Sequence, residues 1–296
     1  MLLPVGSRNV QRLIGLVPAE FTERRNLTFD DIRGYVEPLV DVTVTEVNWF
    51  STYKVNHRVA EHFRMGRAFL LGDAGHVHSP TGGQGMNTGI GDAINLGWKI
   101  VHVIQQRAPA SMLDTYEPER IAFARKLVSS TDEAFRVIIA PGLRGQLGRR
   151  ILIPALFLIG SRFKFGRRAA FDLISQTRIE YEDSPISEGQ AGPLKGGDRL
   201  PWIDDGTDNF APLRSLDWQM HVYGKLAESL KTACRELRLA LHAFAWSAGA
   251  KEAGLKQDAA YLVRPDGYVA LAVERQDNAP EELEKFAQAN ALTFAG

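Results

Sequence analysis

The sequence predicts an α/β fold joined to a smaller α+β unit, and three observations support this prediction. Residues 68–71 form an apolar, β-prone run that leads into a glycine-rich loop and then a helical pattern, the strand–loop–helix order of α/β proteins. Residues 184–217 are rich in Pro, Gly and Asp, which is typical of a linker with irregular loops. Beyond them the pattern changes to short strands and a closing helix. The 296 residues are enough for about two domains.

Composition and charge exclude several classes of protein. Lys and Arg together total 35, as do Asp and Glu, so there is no overall basic field that would attract nucleic acid. Cys234 is the only cysteine, which excludes an intramolecular disulfide and a cysteine-built metal site. The first residues lack the basic start and long apolar run of a signal peptide. We therefore expect a cytoplasmic protein.

The first elements are predicted from local patterns. Residues 12–17 read as a strand directly at the start, and Thr28 then begins a helical pattern that Pro38 should end. In residues 42–53, β-branched and aromatic residues alternate with polar ones, which predicts a long antiparallel strand with one solvated face. A short turn connects this region to the strand at residues 68–71.

Helices dominate the residues after the glycine-rich loop. Apolar residues recur there at helical spacing, which predicts a helix that buries this face and ends near Gln106. Pro109 marks the break, and residues 111–139 are again helical, with Pro118 dividing a short turn from a longer helix. The apolar positions of the first helix are Ile90, Ala93, Ile94, Gly97, Ile100, Val101 and Ile104.

A basic and apolar segment follows these helices. Residues 134–171 contain no acidic residue, whereas eight Arg and Lys residues accumulate around the apolar run of residues 151–159. This run is far shorter than the ~20 residues needed to span a bilayer, so stable membrane insertion is not expected. A connector helix with a solvated basic face is favoured, and binding to a membrane surface is the alternative.

The C-terminal residues predict a small α+β unit that contains a hairpin. A Pro-Asp-Gly turn separates two β-prone runs and marks the hairpin. The predicted elements are a buried strand at residues 239–246, hairpin strands at residues 260–263 and 268–273, and a closing helix at residues 281–290.

Gly72 and Asp73 lie where the predicted strand gives way to the loop. A carboxylate only accepts hydrogen bonds, so one at the end of a strand can hold two hydroxyls of a ribose or ribityl chain. The loop of residues 80–87 presents backbone N–H groups with little side-chain bulk beside a predicted helix start. A helix N-terminus stabilises the negative charge of a reduced flavin by ~0.3–2 kcal/mol. These features favour flavin over a metal or a peptide, and the alternative is an ordinary tight connection.

The stretch GRAFLLGDAGHVHSPTGGQGMNTGIGDAINLGWK, residues 66–99, resembles the second flavin motif of the class A flavoprotein monooxygenases, the aromatic hydroxylases. YEPER at residues 116–120 continues the likeness, and the HxHSPxxGQGMN loop at residues 76–87 is most similar to phenol hydroxylase and the polyketide hydroxylases. WFSTYKVNHRVA, residues 49–60, resembles the returning strand of their substrate domain. LVRPDGYVALAV, residues 262–273, resembles the last hairpin of their appended thioredoxin-like domain.

The resemblance implies a fold, a cofactor and roles for individual residues. The fold would be part of a para-hydroxybenzoate hydroxylase-like FAD-binding domain with a C-terminal thioredoxin-like domain that lacks a CxxC pair. FAD would be the cofactor, NADPH or NADH the reductant, and a phenolic or polyketide compound the aromatic substrate. Asp73 would hold the ribityl or ribose hydroxyls, Pro80 would lie beside the ring, and Tyr53 would face the substrate, with Arg58 in the same strand. The other expected flavin-binding residues are Gly72, Gly82, Gly83, Gln84, Gly85, Met86 and Asn87.

Two motifs of full-length family members are not found in the sequence. These are the GxGxxG turn that binds the ADP pyrophosphate and the DG motif that follows it in the flavin domain. The resemblance therefore implies a chain that starts midway through its substrate domain. Residues 1–60 would be a remnant of the substrate-binding sheet, residues 61–183 the C-terminal part of the FAD-binding domain with connector helices, and residues 184–296 the thioredoxin-like domain. We expect the strand at residues 68–71 to lack parallel neighbours, and the isolated chain to bind FAD weakly or not at all.

Three hypotheses about function remain open from the sequence. In the first, the chain is a piece of an FAD-dependent aromatic hydroxylase and is active only in the whole enzyme. In the second, it is a flavin-free module that binds a hydrophobic ligand or a partner through the inherited pocket. In the third, it complements a separately encoded N-terminal half. A homodimer is also compatible with the sequence, whereas a metal site is not expected.

Overall fold

The computed structural model describes residues 2–6, 10–77, 85–139, 158, 162–163 and 179–294. The chain divides into two compact units, Met1–Val55 and Asn56–Gly296. The first unit is small and built around a helix. The second contains the glycine-rich motif and the C-terminal sheet, and the candidate site is built from its residues.

The first unit begins with a short hairpin. Strand β1 (Leu2–Pro4) pairs antiparallel with β2 (Gln11–Leu13), so the strand predicted for residues 12–17 ends early. The prediction of a long strand at residues 42–53 is wrong, because these residues follow an irregular path. An alternating pattern forms a strand only when a neighbour takes up its backbone hydrogen bonds, and no strand of the described chain pairs with this segment.

Helix α1 (Phe29–Val40) is the main element of the first unit. It begins after Thr28, as predicted, and Asp31 accepts a hydrogen bond of 2.8 Å from the Thr28 backbone N–H. Pro38 lies inside the last turn instead of ending the helix, because a proline there removes only one backbone hydrogen bond. The helix is closed by Asp41, which has a left-handed backbone with a φ of +50°.

The second unit begins with two small antiparallel ladders that carry the motif. β3 (Arg58–Val59) pairs with β6 (His76–Val77), and β4 (Arg64–Met65) pairs with β5 (Ala68–Phe69). The apolar run at the start of the motif therefore makes only a two-residue antiparallel pair among the described strands. Leu70, just beyond this pair, remains partly exposed.

Two long helices follow the glycine-rich loop and pack against each other. α2 (Gly85–Ile104) ends close to the predicted position, and α3 (Tyr116–Ile139) follows a 3₁₀ turn, Ala110–Thr115. Pro118 lies in the first turn of α3, where its missing N–H removes no helical hydrogen bond. A small core joins the helices to the ladders and consists of Phe63, Leu96, Tyr116, Ile121 and Ala124.

The buried face of α2 is mostly polar, which is the opposite of the prediction. Ile94 is 48% exposed and Ile104 is 75% exposed, and Ile90 and Val101 are exposed to a degree similar to Ile94. The side chains buried instead are Thr88, Asp92, Asn95, Leu96, Trp98, Lys99 and His102. A polar face can be buried only when partners satisfy its charges and hydrogen bonds, and α3 and the C-terminal hairpin provide them.

The C-terminal part of the second unit is a six-stranded mixed sheet. One edge of the sheet is a parallel pair connected by a helix, and the hairpin that the sequence predicted lies next to it at the centre. The elements are β7 (Glu188–Ala191), β8 (Leu194–Lys195), β9 (Gln219–Tyr223), α4 (Glu228–Glu236), β10 (Ala240–Phe244), β11 (Ala260–Val263) and β12 (Val269–Val273), with the strands in the order β10-β9-β11-β12-β7-β8. Residues 184–217 were predicted to be irregular, but part of this region forms a hairpin of β7 and β8 at the edge of the sheet.

Hydrophobic cores cover both faces of this sheet. α6 (Ala279–Ala289) closes the chain as predicted and packs on one face, and α5 (Ala248–Glu252) packs on the other. Trp98 of α2 belongs to the same core as Trp218, which precedes β9. Helix α2 and the C-terminal sheet therefore share one hydrophobic core.

The basic segment at residues 134–171 lies largely outside the described residues. The choice between a connector helix and a membrane-surface helix therefore stays a prediction. Within the described ranges, no helix is both long enough and apolar enough to cross a membrane.

Candidate functional site

The candidate site is centred on the turn that follows β5. Gly72–Ala74 form a short 3₁₀ turn, and Gly72 has a φ of +57°, which residues with a Cβ rarely adopt. Asp73, the next residue, is exposed to solvent. The turn therefore presents an accessible carboxylate shortly after a strand, where the sequence predicted it.

This turn lies against the N-terminal part of α2. A Cβ added to Gly89 would lie 3.4 Å from the Gly72 Cα, which is van der Waals contact, so the backbones of the turn and of α2 lie side by side at these two glycines. The first turn of α2 contains Gly85, Met86 and Asn87, of which the last two are exposed. The first N–H groups of a helix have no acceptor within the helix, and the helix dipole favours negative charge beside them.

Asp92 of α2 anchors the turn to both long helices. Its buried carboxylate accepts hydrogen bonds from the Gly72 backbone N–H at 2.9 Å, from His76 Nε2 at 2.8 Å and from Arg120 Nε at 2.6 Å. Burial raises the pKa of Asp92, but these hydrogen bonds and the Arg120 charge outweigh burial, so the pKa is lowered overall. An ionised carboxylate therefore holds the turn, β6 and α3 together.

Replacing Gly72 with alanine is expected to destabilise the second unit by about 1–2 kcal/mol, because alanine is strained in a left-handed backbone. Urea unfolding of the purified chain measures the change. Gly97→Ala in α2 is the matched control, because a Cβ there meets nothing within 4 Å and alanine favours a helix. Equal losses in the two variants would contradict the assignment of strain to Gly72.

A second buried cluster of charges joins α2 and α3 to the β11–β12 hairpin. Glu119 accepts two hydrogen bonds from Arg264, at 2.8 and 2.9 Å, and one from Lys99 Nζ at 2.7 Å. Asp266 accepts hydrogen bonds of 3.0 and 2.7 Å from Arg264. These four side chains are at most 2% exposed. The cluster pairs two cations with two carboxylates, so its charges balance.

Neutral groups complete the hydrogen bonding of Glu119. Asn95 Nδ2 donates at 2.7 Å and the Ser184 hydroxyl at 2.6 Å. Burial alone would raise the pKa of Glu119, but Arg264 and Lys99 lower it well below its usual range. Burial lowers the pKa of Lys99 to about 8. The sequence interpretation missed this cluster, although the spacing of Asn95 and Lys99 by one helical turn was a local sign of a polar face.

The structure describes only part of the predicted site. The predicted residues Pro80, Gly82, Gly83 and Gln84 lie outside the described residues. Tyr53 belongs to the first unit and is 67% exposed. Arg58 lies in β3, where it is exposed and paired in register with Val77 of β6. The structure thus brings Gly72 and Asp73 next to α2, while the roles of the remaining residues stay predictions.

The chemistry of the described residues suits a polyol and an anionic ring better than a cation. Asp73 offers an acceptor for hydroxyl groups, and the start of α2 offers backbone donors. His76 is buried and bonded to Asp92, whereas His78 lies outside the described residues. In the described part of the chain, no three potential metal ligands gather in one place.

Comparison with known proteins gives this site a family context. Residues 1–131 match the family described as FAD binding domain. A flavin-dependent monooxygenase of Mycobacteroides abscessus is 31% identical over 239 residues, which cover 79% of this chain and 43% of that protein. The chain therefore spans less than half the length of this curated relative.

Solved structures extend the similarity to most of the fold. The anhydrotetracycline hydroxylase of Streptomyces rimosus has a TM-score of 0.67 at 26% identity, covering 91% of this chain and 54% of that chain. A Diels-Alderase of pyrroindomycin biosynthesis has a TM-score of 0.67 at 25% identity, covering 100% of this chain and 57% of that chain. The two similar structures therefore carry the names of two different reaction types.

Proposed function

This chain is related to the class A FAD-dependent aromatic hydroxylases, and from this premise we propose that it supplies the flavin-ring side of the active site in an FAD-dependent, NAD(P)H-using monooxygenase. The proposed reaction is hydroxylation of an activated aromatic ring in a phenolic or polyketide substrate. One observation carries the proposal. The exposed Asp73 carboxylate lies on a turn whose Gly72 is in close contact with Gly89, near the start of α2.

In this proposal, Asp73 binds hydroxyl groups of the flavin side chain, because a carboxylate can accept two of them at once. The backbone N–H groups at Gly85, Met86 and Asn87 face the negative charge that a reduced flavin carries on its pyrimidine ring. A bound flavin supplies the redox and oxygen chemistry. The residues of this chain bind the flavin, orient it and keep its charge next to the helix N-terminus.

Tyr53 and Arg58 are proposed as substrate-facing residues on the strength of the family resemblance. Both side chains are exposed and therefore accessible to a ligand. A tyrosine ring packs well against an aromatic substrate, and a guanidinium attracts the oxygen of an ionised phenol. Replacing either residue is therefore expected to affect substrate affinity more than flavin affinity.

We also propose that residues 184–296 form a thioredoxin-like domain with a structural or oligomerising role in a cytoplasmic protein. The parallel β9–α4–β10 unit beside the β11–β12 hairpin and α6 supports this assignment. Cys234 is buried, and burial raises the pKa of its thiol to about 12. A thiol in this environment stays protonated and unreactive, so a redox role is not part of the proposal.

A second candidate function is ring formation without net oxidation. It is favoured by the similarity over the whole chain to a structure named as a Diels-Alderase. A cycloaddition rearranges bonds without electron transfer, so it needs a shaped pocket but no NAD(P)H. Consumption of NADPH that depends on an aromatic substrate supports the monooxygenase, whereas product formation without NADPH supports the cyclase.

Flavin binding by the 296-residue chain tests the proposed site. We expect weak binding with similar affinities for FAD, FMN and riboflavin, because the described residues offer contacts to the ring and ribityl chain. Asp73→Asn is expected to weaken all three about ten- to hundredfold, since hydrogen bonds to a charged acceptor contribute about 1.5–3 kcal/mol. Quenching of flavin fluorescence measures the affinities.

Asp277→Asn is the matched control, because Asp277 is an exposed carboxylate with only a surface ion pair. It should leave flavin affinity unchanged. Affinities that are unchanged in Asp73→Asn would contradict the role of this carboxylate. A strong preference for FAD over riboflavin would contradict the assignment of the site to the ring and ribityl end.

Further experiments distinguish the three hypotheses drawn from the sequence, namely a piece of a larger enzyme, a flavin-free module and one half of a two-chain enzyme. Flavin uptake that appears only after addition of a separately encoded N-terminal half supports a two-chain enzyme. Binding of a hydrophobic ligand by a stably folded chain without flavin supports the ligand-binding module. Aromatic hydroxylation that requires the chain within a longer polypeptide supports the first hypothesis.

A further inference from the structure

We propose that Arg120 and Tyr181 are positioning residues for the Gly72–Asp73 turn, and that Asp92 transmits their position to it. In this arrangement, the C-terminal part of the chain sets the geometry of the candidate flavin site. The proposal rests on the proposed function only for the identity of the ligand. The contacts from which the positioning role is inferred all lie within the second unit.

The two oxygen atoms of Asp92 serve different partners. Oδ2 accepts from the turn region, through the Gly72 N–H at 2.9 Å and His76 Nε2 at 2.8 Å, whereas Oδ1 accepts from Arg120 Nε at 2.6 Å. The side chains of Asp92, His76 and Arg120 are only 1–2% exposed, so water does not weaken these bonds. A shift of the carboxylate that follows Arg120 therefore displaces its hydrogen bonds to both Gly72 and His76.

Arg120 has little freedom to move independently. Besides Asp92, its guanidinium donates to the Thr88 carbonyl at 3.2 Å and to the Tyr181 hydroxyl at 2.9 Å. A Cβ at Gly91 would lie 3.2 Å from Arg120 Nη2, so glycine at that position makes room for the guanidinium. Because the guanidinium is a rigid planar fork, its orientation is set by these three acceptors together.

Tyr181 is held by the C-terminal part of the chain. Its backbone N–H donates to the Gly197 carbonyl at 2.9 Å, and its ring centroid lies 4.3 Å from that of Tyr268. The Arg264 guanidinium lies 5.3 Å from the same ring. Burial raises the pKa of Tyr181, so the hydroxyl stays neutral and remains available to Arg120 as an acceptor. Tyr181 therefore connects Tyr268 of the C-terminal hairpin to the Arg120 guanidinium.

Removal of the Tyr181 hydroxyl would leave a buried donor of Arg120 without its acceptor. An unsatisfied donor on a buried charge is strongly unfavourable, so the guanidinium is expected to shift toward its remaining acceptors. Because one of these is Asp92, the hydrogen bond from the Gly72 N–H to the same carboxylate should loosen. The observable consequence is faster exchange of the Gly72 amide proton with solvent.

Amide exchange in the full chain without flavin tests this proposal. Glycines are labelled with nitrogen-15, and the Gly72 resonance is identified by its absence in Gly72→Ala. Tyr181→Phe keeps the ring and removes only the hydroxyl. We expect the Gly72 amide to exchange about tenfold faster in this variant. The Gly224 amide, which donates to Phe244 within the sheet, should be unchanged and reports that the variant is folded.

Tyr261→Phe is the matched control, because Tyr261 is also buried but its hydroxyl bonds to Lys256 and Ala191. An unchanged Gly72 rate in Tyr181→Phe, or an equal increase in Tyr261→Phe, overturns the proposal. If Tyr181→Phe does not fold, Gly91→Ala crowds Arg120 with one methyl group and should also accelerate Gly72 exchange. An unchanged Gly72 rate in that variant then overturns the proposal as well. Riboflavin titration of the same samples decides the proposed function separately, because the exchange result does not depend on flavin binding.

Discussion

Glu119→Gln is expected to lower the free energy of unfolding of the second unit by about 3–5 kcal/mol, the usual cost of breaking a buried ion pair from one side. The Glu119 carboxylate accepts five hydrogen bonds, from Arg264, Lys99, Asn95 and Ser184. A glutamine of the same shape replaces one acceptor oxygen by an amide donor. That donor would face other donors, and the two buried cations would keep only Asp266 as a counter-charge.

Urea unfolding of the purified chain measures this effect. Glu182→Gln is the matched control, because Glu182 is half exposed and forms a surface ion pair of 2.9 Å with Lys195. Such pairs contribute about 0–1 kcal/mol, so the control should be nearly neutral. If Glu119→Gln lowered the free energy of unfolding no more than Glu182→Gln does, the buried cluster would not stabilise the packing of α2 and α3 against the C-terminal hairpin.

The same cluster explains why the buried face of α2 was predicted wrongly. Helical periodicity identifies an apolar stripe, but it does not show which face the rest of the fold covers. In this protein the polar face is covered, because Arg264 reaches Glu119 from 145 positions further along the chain. A contact between residues so far apart leaves no local pattern in the sequence. The apolar stripe that includes Ile94 and Ile104 is consequently left exposed among the described residues.

Features that depend on neighbouring residues were predicted well. The start of α1 after Thr28 was confirmed, because its hydrogen bond to Asp31 is local to the chain. The β11–β12 hairpin was also confirmed, since its turn residues and both strands are contiguous in sequence. The position of the Gly72 turn beside the start of α2 follows from one continuous motif in the same way.

Features that depend on a distant partner were not predicted. Residues 42–53 have the alternating pattern of a strand, but no described strand pairs with them. Conversely, β7 lies in a region rich in glycine and proline, and it is a strand because β12 supplies a parallel neighbour. The anchoring of the candidate site by Asp92 and Arg120 has the same origin, since their contact joins two helices.

The free energy of unfolding is expected to fall as the pH falls below about 6.5, because His221 stays neutral in the folded protein. His221 is buried on β9, with Nε2 3.0 Å from Gln219 Oε1 and Nδ1 3.2 Å from the Tyr223 hydroxyl. Burial and the neighbouring His242 lower the pKa of His221 to about 3. Between these two pKa values, the unfolded chain binds a proton that the folded protein does not, so acidification favours unfolding by up to about 1.4 kcal/mol per pH unit.

The other titrating groups near His221 do not reverse this sign. Burial also lowers the pKa of His242, so it contributes in the same direction. Tyr223 has its pKa raised by burial and stays protonated throughout the acidic range. Carboxylates with lowered pKa values, such as Glu119, begin to destabilise the fold only when the pH approaches their unfolded value of about 4.3. The interval from about pH 6 to about pH 5 therefore isolates the histidines.

Urea unfolding at about pH 6 and about pH 5 measures this effect as a change in stability with pH. We expect the wild-type chain to lose about 1 kcal/mol more than His221→Gln over this interval, because the variant cannot bind the proton on unfolding. Comparing pH dependences removes the constant loss of packing that the substitution causes. Met220→Leu, which changes a buried residue of the same strand but no titratable group, should keep the wild-type pH dependence. Parallel profiles for wild type and His221→Gln would show that His221 is not the source of the acid sensitivity.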